Sequence, residues 1–218
     1  MRVDDIFPPE VIDEDLKKWL GGAVAAGTLA ALPMGVTSNI PKQTNYEVSI
    51  AQNMRRDISI MAQTMWGEAR NHGEKGMLAV GSVIKNRADS DRGLTFGNGI
   101  RGVALKRKQF SCWNPGDPNR EKIEQMKVID RAIKFQQSPV EDMTFEDWFE
   151  KFSKSPDMGE YEAWKEAYAL AEKILKGQIA DPTHGALFYH TTGVFPKWAR
   201  NAEPIAKVAN HVFYSKVN

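Results

Sequence analysis

The sequence predicts an α+β fold, a mainly helical domain carrying a small antiparallel sheet. Apolar residues recur at steps of three and four through most of residues 53–176, the period of helices buried on one face. Two short runs near the C-terminus, 186–190 and 210–214, are rich in aromatic and β-branched residues and bounded by turn formers, as paired strands are. With 218 residues, 42% hydrophobic and 26% charged, the chain can bury a sizeable core.

Residues 1–50 read as a leader and residues 51–218 as the main domain. The leader holds four Lys/Arg against seven Asp/Glu. No charge occurs from Trp19 to Pro41, but the run centred on Gly21 to Leu32 is rich in Gly and Ala, so it is only marginally suited to crossing a bilayer. The acidic residues ahead of it do not match the basic start of a secretory signal. Membrane or virion association through residues 19–36, as an anchor or a tether to a larger assembly, is the expectation; a helix packing on the domain is the alternative. Pro33, Pro41 and the polar stretch 37–45 read as a linker.

Each element then follows from its own pattern. A first helix over 53–71 places Ile58, Met61, Ala62, Met65, Trp66 and Ala69 on one stripe, and the His72-Gly73 pair breaks it. A second, 74–88, aligns Met77, Val80 and Ile84. Residues 89–99, with three glycines, read as loop. A third helix over 119–136 aligns Ile123, Met126, Ile129 and Ile133. In 138–158, Phe145, Trp148, Phe149 and Phe152 suggest a helix packed on the core, with a lid or wall-binding patch as the alternative. A last helix over 160–176 repeats Tyr161, Trp164, Tyr168, Ala171 and Leu175 and ends at Gly177 as a cap. The strands 186–190 and 210–214 pair antiparallel.

Glu68 falls at the edge of the first stripe, one turn from Met65, and is expected to be half buried. A carboxyl group against apolar side chains tends to keep its proton, as a general acid must. The alternative is a boundary glutamate paired with Arg70 or a neighbouring lysine. Gly67 favours the functional reading: a mid-helix glycine costs about 1 kcal/mol relative to alanine, and close approach of a backbone or ligand is a common reason to tolerate it.

Several blocks follow Glu68 in order. They are Gly76-Met77-Leu78-Ala79-Val80-Gly81-Ser82-Val83-Ile84-Lys85-Asn86-Arg87, Ile100-Arg101-Gly102-Val103, Gln109-Phe110-Ser111-Cys112-Trp113, Asp181-Pro182-Thr183-His184-Gly185-Ala186-Leu187-Phe188-Tyr189-His190, Pro196-Lys197-Trp198-Ala199 and Asn210-His211-Val212-Phe213-Tyr214. Together with Trp66-Gly67-Glu68-Ala69-Arg70, this set resembles the cell wall hydrolase family typified by the spore cortex-lytic enzyme SleB, over roughly residues 57–214. The resemblance implies a lysozyme-like architecture, cleavage of peptidoglycan glycan strands at the bacterial wall, no cofactor, and Glu68 as catalytic acid.

Glycan cleavage needs a proton donor and stabilisation of an oxocarbenium-like centre. Glu74 and Asp181 are candidate second carboxylates, neither singled out. A lytic transglycosylase needs only one glutamate, and the lack of an obvious partner favours that route. Gln109, Phe110 and Trp113 are candidates for sugar contacts, Tyr189 and His190 for positioning an N-acetyl group, and Trp198 for lining the cleft. Core packing is the alternative for each aromatic. Asn86 and Arg87 would support the site from behind, and His211 reads as a structural histidine.

The remaining features bound the alternatives. Residues 51–218 carry 25 basic against 21 acidic residues, and Lys85 to Lys108 holds seven against two, which suits an anionic polymer or a plain solvated face. No nucleic-acid motif accompanies the charge, so nucleic acid is not an expected partner. Cys112 is the single cysteine, and its neighbours Phe110 and Trp113 suggest packing rather than a nucleophile. A zinc-dependent amidase is the competing enzyme, yet His72, His184, His190 and His211 form no recognised metal spacing. A non-enzymatic virion or wall-binding protein is the third class. A leader followed by a short domain also suits a bacteriophage lysin.

Overall fold

A computed structural model describes residues 42–136 and 158–217. Contacts divide the chain into two units, Met1–Met54 and Arg55–Asn218, and the second contains the core, the sheet and the candidate site. The apolar run at 19–36 and the aromatic segment with Phe145, Trp148, Phe149 and Phe152 lie outside the described residues.

The elements are α1 (Lys42–Ala69), α2 (Gly73–Asp89), α3 (Gly93–Phe96), α4 (Gly99–Ala104), α5 (Pro118–Gln136), α6 (Met158–Leu175), β1 (Phe188–Thr191), β2 (Ala206–Val208) and β3 (His211–Tyr214). Short 3-10 turns occupy Arg70–His72, Ser111–Trp113 and Lys197–Ala199. The architecture is α+β, mainly helical with one small antiparallel sheet. Two boundaries differ from expectation. α1 starts at Lys42, eleven residues earlier than its apolar stripe suggests, so 42–45 is helix rather than linker. Those residues include no glycine or proline, and a nucleated helix propagates through polar positions at little cost. Within the expected loop 89–99, α3 closes a single turn because Phe96 is buried, with Arg87 and Arg92 each 5.1 Å from its ring.

α2 is the central element because it is apolar on two sides. Met77, Val80 and Ile84 enter the main core with Met61, Met65 and Trp66 of α1. Ala79 and Val83, on another side, pack against Ala186 and Phe213 beneath the sheet. α5 contributes Ile123 and Met126, and α6 contributes Tyr161, Trp164, Ala167, Leu170 and Ala171. Trp66 and Trp164 meet edge to face at 5.4 Å. α6 ends as its Gly177 predicts: at φ +67, Gly177 N–H bonds the Ile174 carbonyl and Gln178 N–H the Lys173 carbonyl, the paired bonds of a Schellman cap.

The ends of α1 and α6 are joined by polar groups. Trp66 Nε1 donates to the Glu160 carbonyl at 3.0 Å. Arg70 bonds the Glu160 carboxylate at 3.2 Å and Asn119 Oδ1 at 2.9 Å, with its guanidinium 4.2 Å over the Trp66 ring. Arg70 is therefore committed to Glu160, which removes the expected alternative of a Glu68–Arg70 pair.

The sheet has strand order β1-β3-β2, all antiparallel. The expected pairing of β1 with β3 is present, with Tyr189 opposite Phe213 and His190 opposite Val212. Strand β2 is an addition; its three residues are too few to show alternation in sequence. Tyr189, His211 and Phe213 share the face that packs on α2, whereas Phe188, His190 and Tyr214 share the other.

Gly67 is where the Ser111–Trp113 turn and α5 press directly on α1. A Cβ there would lie 2.7 Å from Cys112 Cβ and 2.9 Å from Ile123 Cδ1. Gly67→Ala gains helix propensity but overpacks this contact, and a net loss of about 1–2 kcal/mol is expected in chemical denaturation. A variant as stable as the parent would show that the turn yields freely.

His211 is 2% exposed, its ring 5.0 Å from His72 and 5.2 Å from Tyr189. Burial first, then the proximity of His72 and His190, pushes its pKa down to about 4. Between its ordinary value near 6.5 and about 4 the unfolded chain binds the extra proton, so stability is full above that window and falls as pH is lowered through it. A loss on the order of 3 kcal/mol is expected from this group. Melting curves of the parent and of His211→Phe from pH 7 to 4.5 check it: the parent should lose stability more steeply, and equal slopes would assign the acid sensitivity elsewhere.

Candidate active site

Glu68 lies in the last turn of α1, half-buried, where three separate elements meet. Its Oε1 accepts the Cys112 backbone N–H at 2.7 Å and the Ser111 hydroxyl at 3.0 Å. Tyr189 of β1 stands close enough to the carboxylate for the charge of Glu68 to act on its hydroxyl. Burial first, then the negative charge of Glu68, pushes Tyr189 well above the ordinary phenol range, with the Arg87 guanidinium opposing them, so Tyr189 is a protonated donor at neutral pH.

The Ser111–Trp113 turn is held to α1 at a second point. Trp113 Nε1 donates to Thr64 Oγ1 at 2.9 Å, and Thr64, one helical turn before Glu68, donates to the Ile60 carbonyl at 2.7 Å. Cys112 between them is fully buried. Burial first, then the Glu68 charge and its hydrogen bond, push the thiol up, so it stays protonated and serves as packing.

Tyr189 and Trp113 thus belong to the surroundings of Glu68, and Gln109 leads directly into the same turn, half-buried, its N–H on the Lys106 carbonyl at 3.0 Å. Phe110 does not fit its expected role. At 1% exposure, with the Arg87 guanidinium 5.3 Å over its ring, it has no face to offer a sugar. His190 and Trp198 are also separated from Glu68. Neighbours on a strand point to opposite faces, so His190 turns away from the side on which Tyr189 meets Glu68. Its Nδ1 is engaged with the Thr191 carbonyl at 2.8 Å and its Nε2 with the Tyr214 hydroxyl at 2.9 Å. Trp198 packs with it at 5.7 Å and with Tyr214 at 5.5 Å. Both are parts of an aromatic cluster on the far face of the sheet.

Asn86 and Arg87 support the approach to β1. Asn86 Nδ2 donates to Asp181 Oδ2 at 2.9 Å and to the Ala186 carbonyl at 3.1 Å. Arg87, 6% exposed, donates from Nε to the Leu187 carbonyl at 2.7 Å. Burial first lowers its pKa to about 10, opposed by Tyr189, so it remains a cation at neutral pH. Asp181, one of the two candidate second carboxylates, is occupied structurally: it accepts the Thr183 N–H at 2.7 Å, the Thr183 hydroxyl at 2.6 Å and the Gly185 N–H at 2.7 Å. Burial raises its pKa, but bonds from Thr183, Asn86 and Gly185 together outweigh it and hold the carboxyl below its ordinary range. Glu74, the other candidate, is exposed in the first turn of α2.

The two groups that grip Glu68 from the turn, Ser111 and the Cys112 N–H, were not identified from sequence. A backbone donor leaves no side-chain signature, but Gly67 was the available signal: a missing Cβ on α1 marks where another backbone comes close.

The chain matches the cell wall hydrolase family over two overlapping stretches, residues 71–158 and 134–214. Glu68 lies just ahead of the first. The chain is 38% identical over 75 residues to the spore cortex-lytic enzyme of Halalkalibacterium halodurans, covering 34% of this chain and 21% of that one. It is 31% identical over 80 residues to the spore cortex-lytic enzyme of Bacillus subtilis, covering 34% and 25%. It therefore spans about a quarter or less of the length of these curated relatives. Among solved structures it is similar to the catalytic domain of the Bacillus cereus SleB protein, with 23% identity and a TM-score of 0.41 over 73% of this chain and 90% of that one. It is also similar to the catalytic domain of the germination-specific lytic transglycosylase SleB from Bacillus anthracis, with 22% identity and a TM-score of 0.41 over 84% and 99%. By the two family stretches, which together run across most of the folded body, the chain belongs to the cell wall hydrolase family.

Proposed function

We propose that this protein cleaves the MurNAc–GlcNAc glycan strand of peptidoglycan as a lytic transglycosylase, with Glu68 as the single catalytic carboxylate. The observation that carries this reading is the half-buried Glu68 side chain, held by two donors from the Ser111–Trp113 turn and faced by Tyr189 of β1. A transglycosylase uses one carboxylate twice. Protonated Glu68 gives its proton to the glycosidic oxygen, the bond to C1 of the muramic residue breaks, and an oxocarbenium-like centre forms. The Glu68 carboxylate then takes the proton of that sugar's C6 hydroxyl, and O6 closes on C1 as a 1,6-anhydro ring. No water is consumed, and Glu68 ends protonated as it began. The Cys112 N–H, Ser111 and Tyr189 stabilise the carboxylate between the two proton transfers.

Two further features support one carboxylate over two. Asp181 is committed to Asn86, Thr183 and Gly185, and Glu74 is exposed in the first turn of α2. Gln109 and Trp113, on the turn beside Glu68, are the proposed sugar contacts. The proposed place of action is the bacterial cell wall.

Glu68→Gln keeps the shape and removes the titrating proton, so the folded variant should lose roughly 10²–10⁴-fold in turnover on purified peptidoglycan. Mass spectrometry of parent digests should find fragments ending in 1,6-anhydro-N-acetylmuramic acid. Reducing muramic acid ends would replace the transglycosylase by a hydrolase using water, and free N-terminal L-alanine would replace both by an amidase.

Tyr189→Phe removes the hydroxyl that faces the carboxylate, and a hydrogen bond made to the charged group during the reaction is worth about 1.5–3 kcal/mol, so turnover should fall about 10- to 100-fold while the melting temperature changes little. A large drop in melting temperature with unchanged activity per folded molecule would make Tyr189 a packing residue only.

A further inference from the structure

Between Asp91 and Asp117 the chain holds five basic residues and no acidic one. Three of the five are already engaged. Arg92 lies 5.1 Å over Phe96 and 5.6 Å over Phe188, Arg101 pairs with Asp57, and Lys106 Nζ bonds the Leu94 carbonyl. Arg107 and Lys108 are exposed and have neither an ion-pair nor a side-chain hydrogen-bond partner among the described residues. They are nevertheless held in place. Lys108 adopts φ +66, uncommon for a residue with a side chain, within a tight turn that the Gln109 N–H closes on the Lys106 carbonyl at 3.0 Å. Three residues further on, Ser111 touches Glu68. Chain length alone therefore keeps the Cα of Lys108 within about 11 Å of that of Ser111.

We infer that Arg107 and Lys108 form a carboxylate-binding subsite that selects glycan strands still bearing their peptide stems. The inference rests on the proposed action on peptidoglycan. The sugars of the strand are uncharged at the cleaved linkage, and its carboxylates belong to the stems, which hang from the muramic residue where that linkage breaks. An arginine fork suits a carboxylate in two parallel hydrogen bonds, and a neighbouring ammonium adds a second charge. Lys108 is three residues from the Ser111–Glu68 contact, within the reach of a peptide stem attached to the sugar being cleaved. The engaged neighbours matter as much: with Arg101 on Asp57 and Lys106 on Leu94, Arg107 and Lys108 are the exposed cations of this segment left without a partner among the described residues.

The test uses the full chain and two substrates, teichoic-acid-free glycan strands with stems and the same strands stripped by an N-acetylmuramoyl-L-alanine amidase, with the lactyl carboxylate that this hydrolysis frees then capped as a neutral methylamide. Binding is measured in the Glu68→Gln background, so it does not depend on cleavage. That protein should bind intact strands roughly 5- to 30-fold more tightly than stripped ones, with the preference fading as salt is raised. Adding Arg107→Gln and Lys108→Gln should abolish the preference and leave binding to stripped strands unchanged. With Glu68 restored, kcat/KM should follow the same pattern. The inference is overturned if the added substitutions leave the stem preference intact, if they weaken both substrates equally, or if the parent shows no preference. A stem preference that depends on Arg107 and Lys108 in a chain whose Glu68 proves dispensable would sustain the subsite and reject the transglycosylase reading.

Discussion

The candidate site depends on the close approach of one turn of chain to one helix, at Gly67. Any side chain there would stand within 3 Å of Cys112 and Ile123. Its absence lets the Ser111–Trp113 turn lie directly on α1, and only then can the Cys112 N–H reach Glu68 at 2.7 Å and Trp113 reach Thr64 at 2.9 Å. Glu68 is oriented by a backbone group whose position is set by buried packing, with the exposed Ser111 hydroxyl added to it. Such a donor costs little reorganisation when charge changes on the carboxylate. The glycine lowers helix propensity by about 1 kcal/mol, offset by burial of Cys112 and Ile123 against the helix.

The third group at Glu68, Tyr189, comes from the far end of the chain and needs its own support. Two consecutive residues of α2 provide it. Asn86 holds Asp181 and the Ala186 carbonyl, while Arg87 holds the Leu187 carbonyl, so the strand is fixed two residues before Tyr189. Burying a guanidinium is expensive, and no carboxylate faces Arg87 among the described residues. Part of the cost is offset by the Phe96 and Phe110 rings at 5.1 and 5.3 Å, since a cation over an aromatic face gains about 0.5–2 kcal/mol. The same contacts account for Phe110: its ring is used inside, against Arg87.

What could be read from sequence follows from what periodicity reports. The stripes of α1, α2 and α6 show in the chain because burial on one face repeats every three to four residues, and Met61, Met65, Met77, Val80 and Trp164 are indeed core. Glu68 was visible as an acid on the edge of such a stripe, next to a mid-helix glycine. Ser111 and Cys112 were not, because their role comes from a tertiary contact and one of them acts through its backbone. α3 was missed because four residues carry no period, and β2 for the same reason. Tyr189 and His190 are adjacent in sequence but do not share a face of β1. On a strand, neighbouring residues are the pair least able to share a face.

That alternation also divides the labour of the sheet. The Tyr189, His211 and Phe213 side faces α2 and carries the hydroxyl that faces Glu68, so its polar groups must be accounted for in a dry environment. The His190, Tyr214 and Trp198 side closes on itself, with both imidazole nitrogens engaged. A strand of four residues can therefore support the site on one face and stabilise itself on the other. Under the proposed reaction this economy suffices, because the substrate's own C6 hydroxyl acts as nucleophile and the protein need supply only one carboxylate and the donors that stabilise it. A hydrolase would also need to hold a water and a base opposite the sugar, and the candidates suggested by sequence are engaged as structural ties or exposed at a helix start.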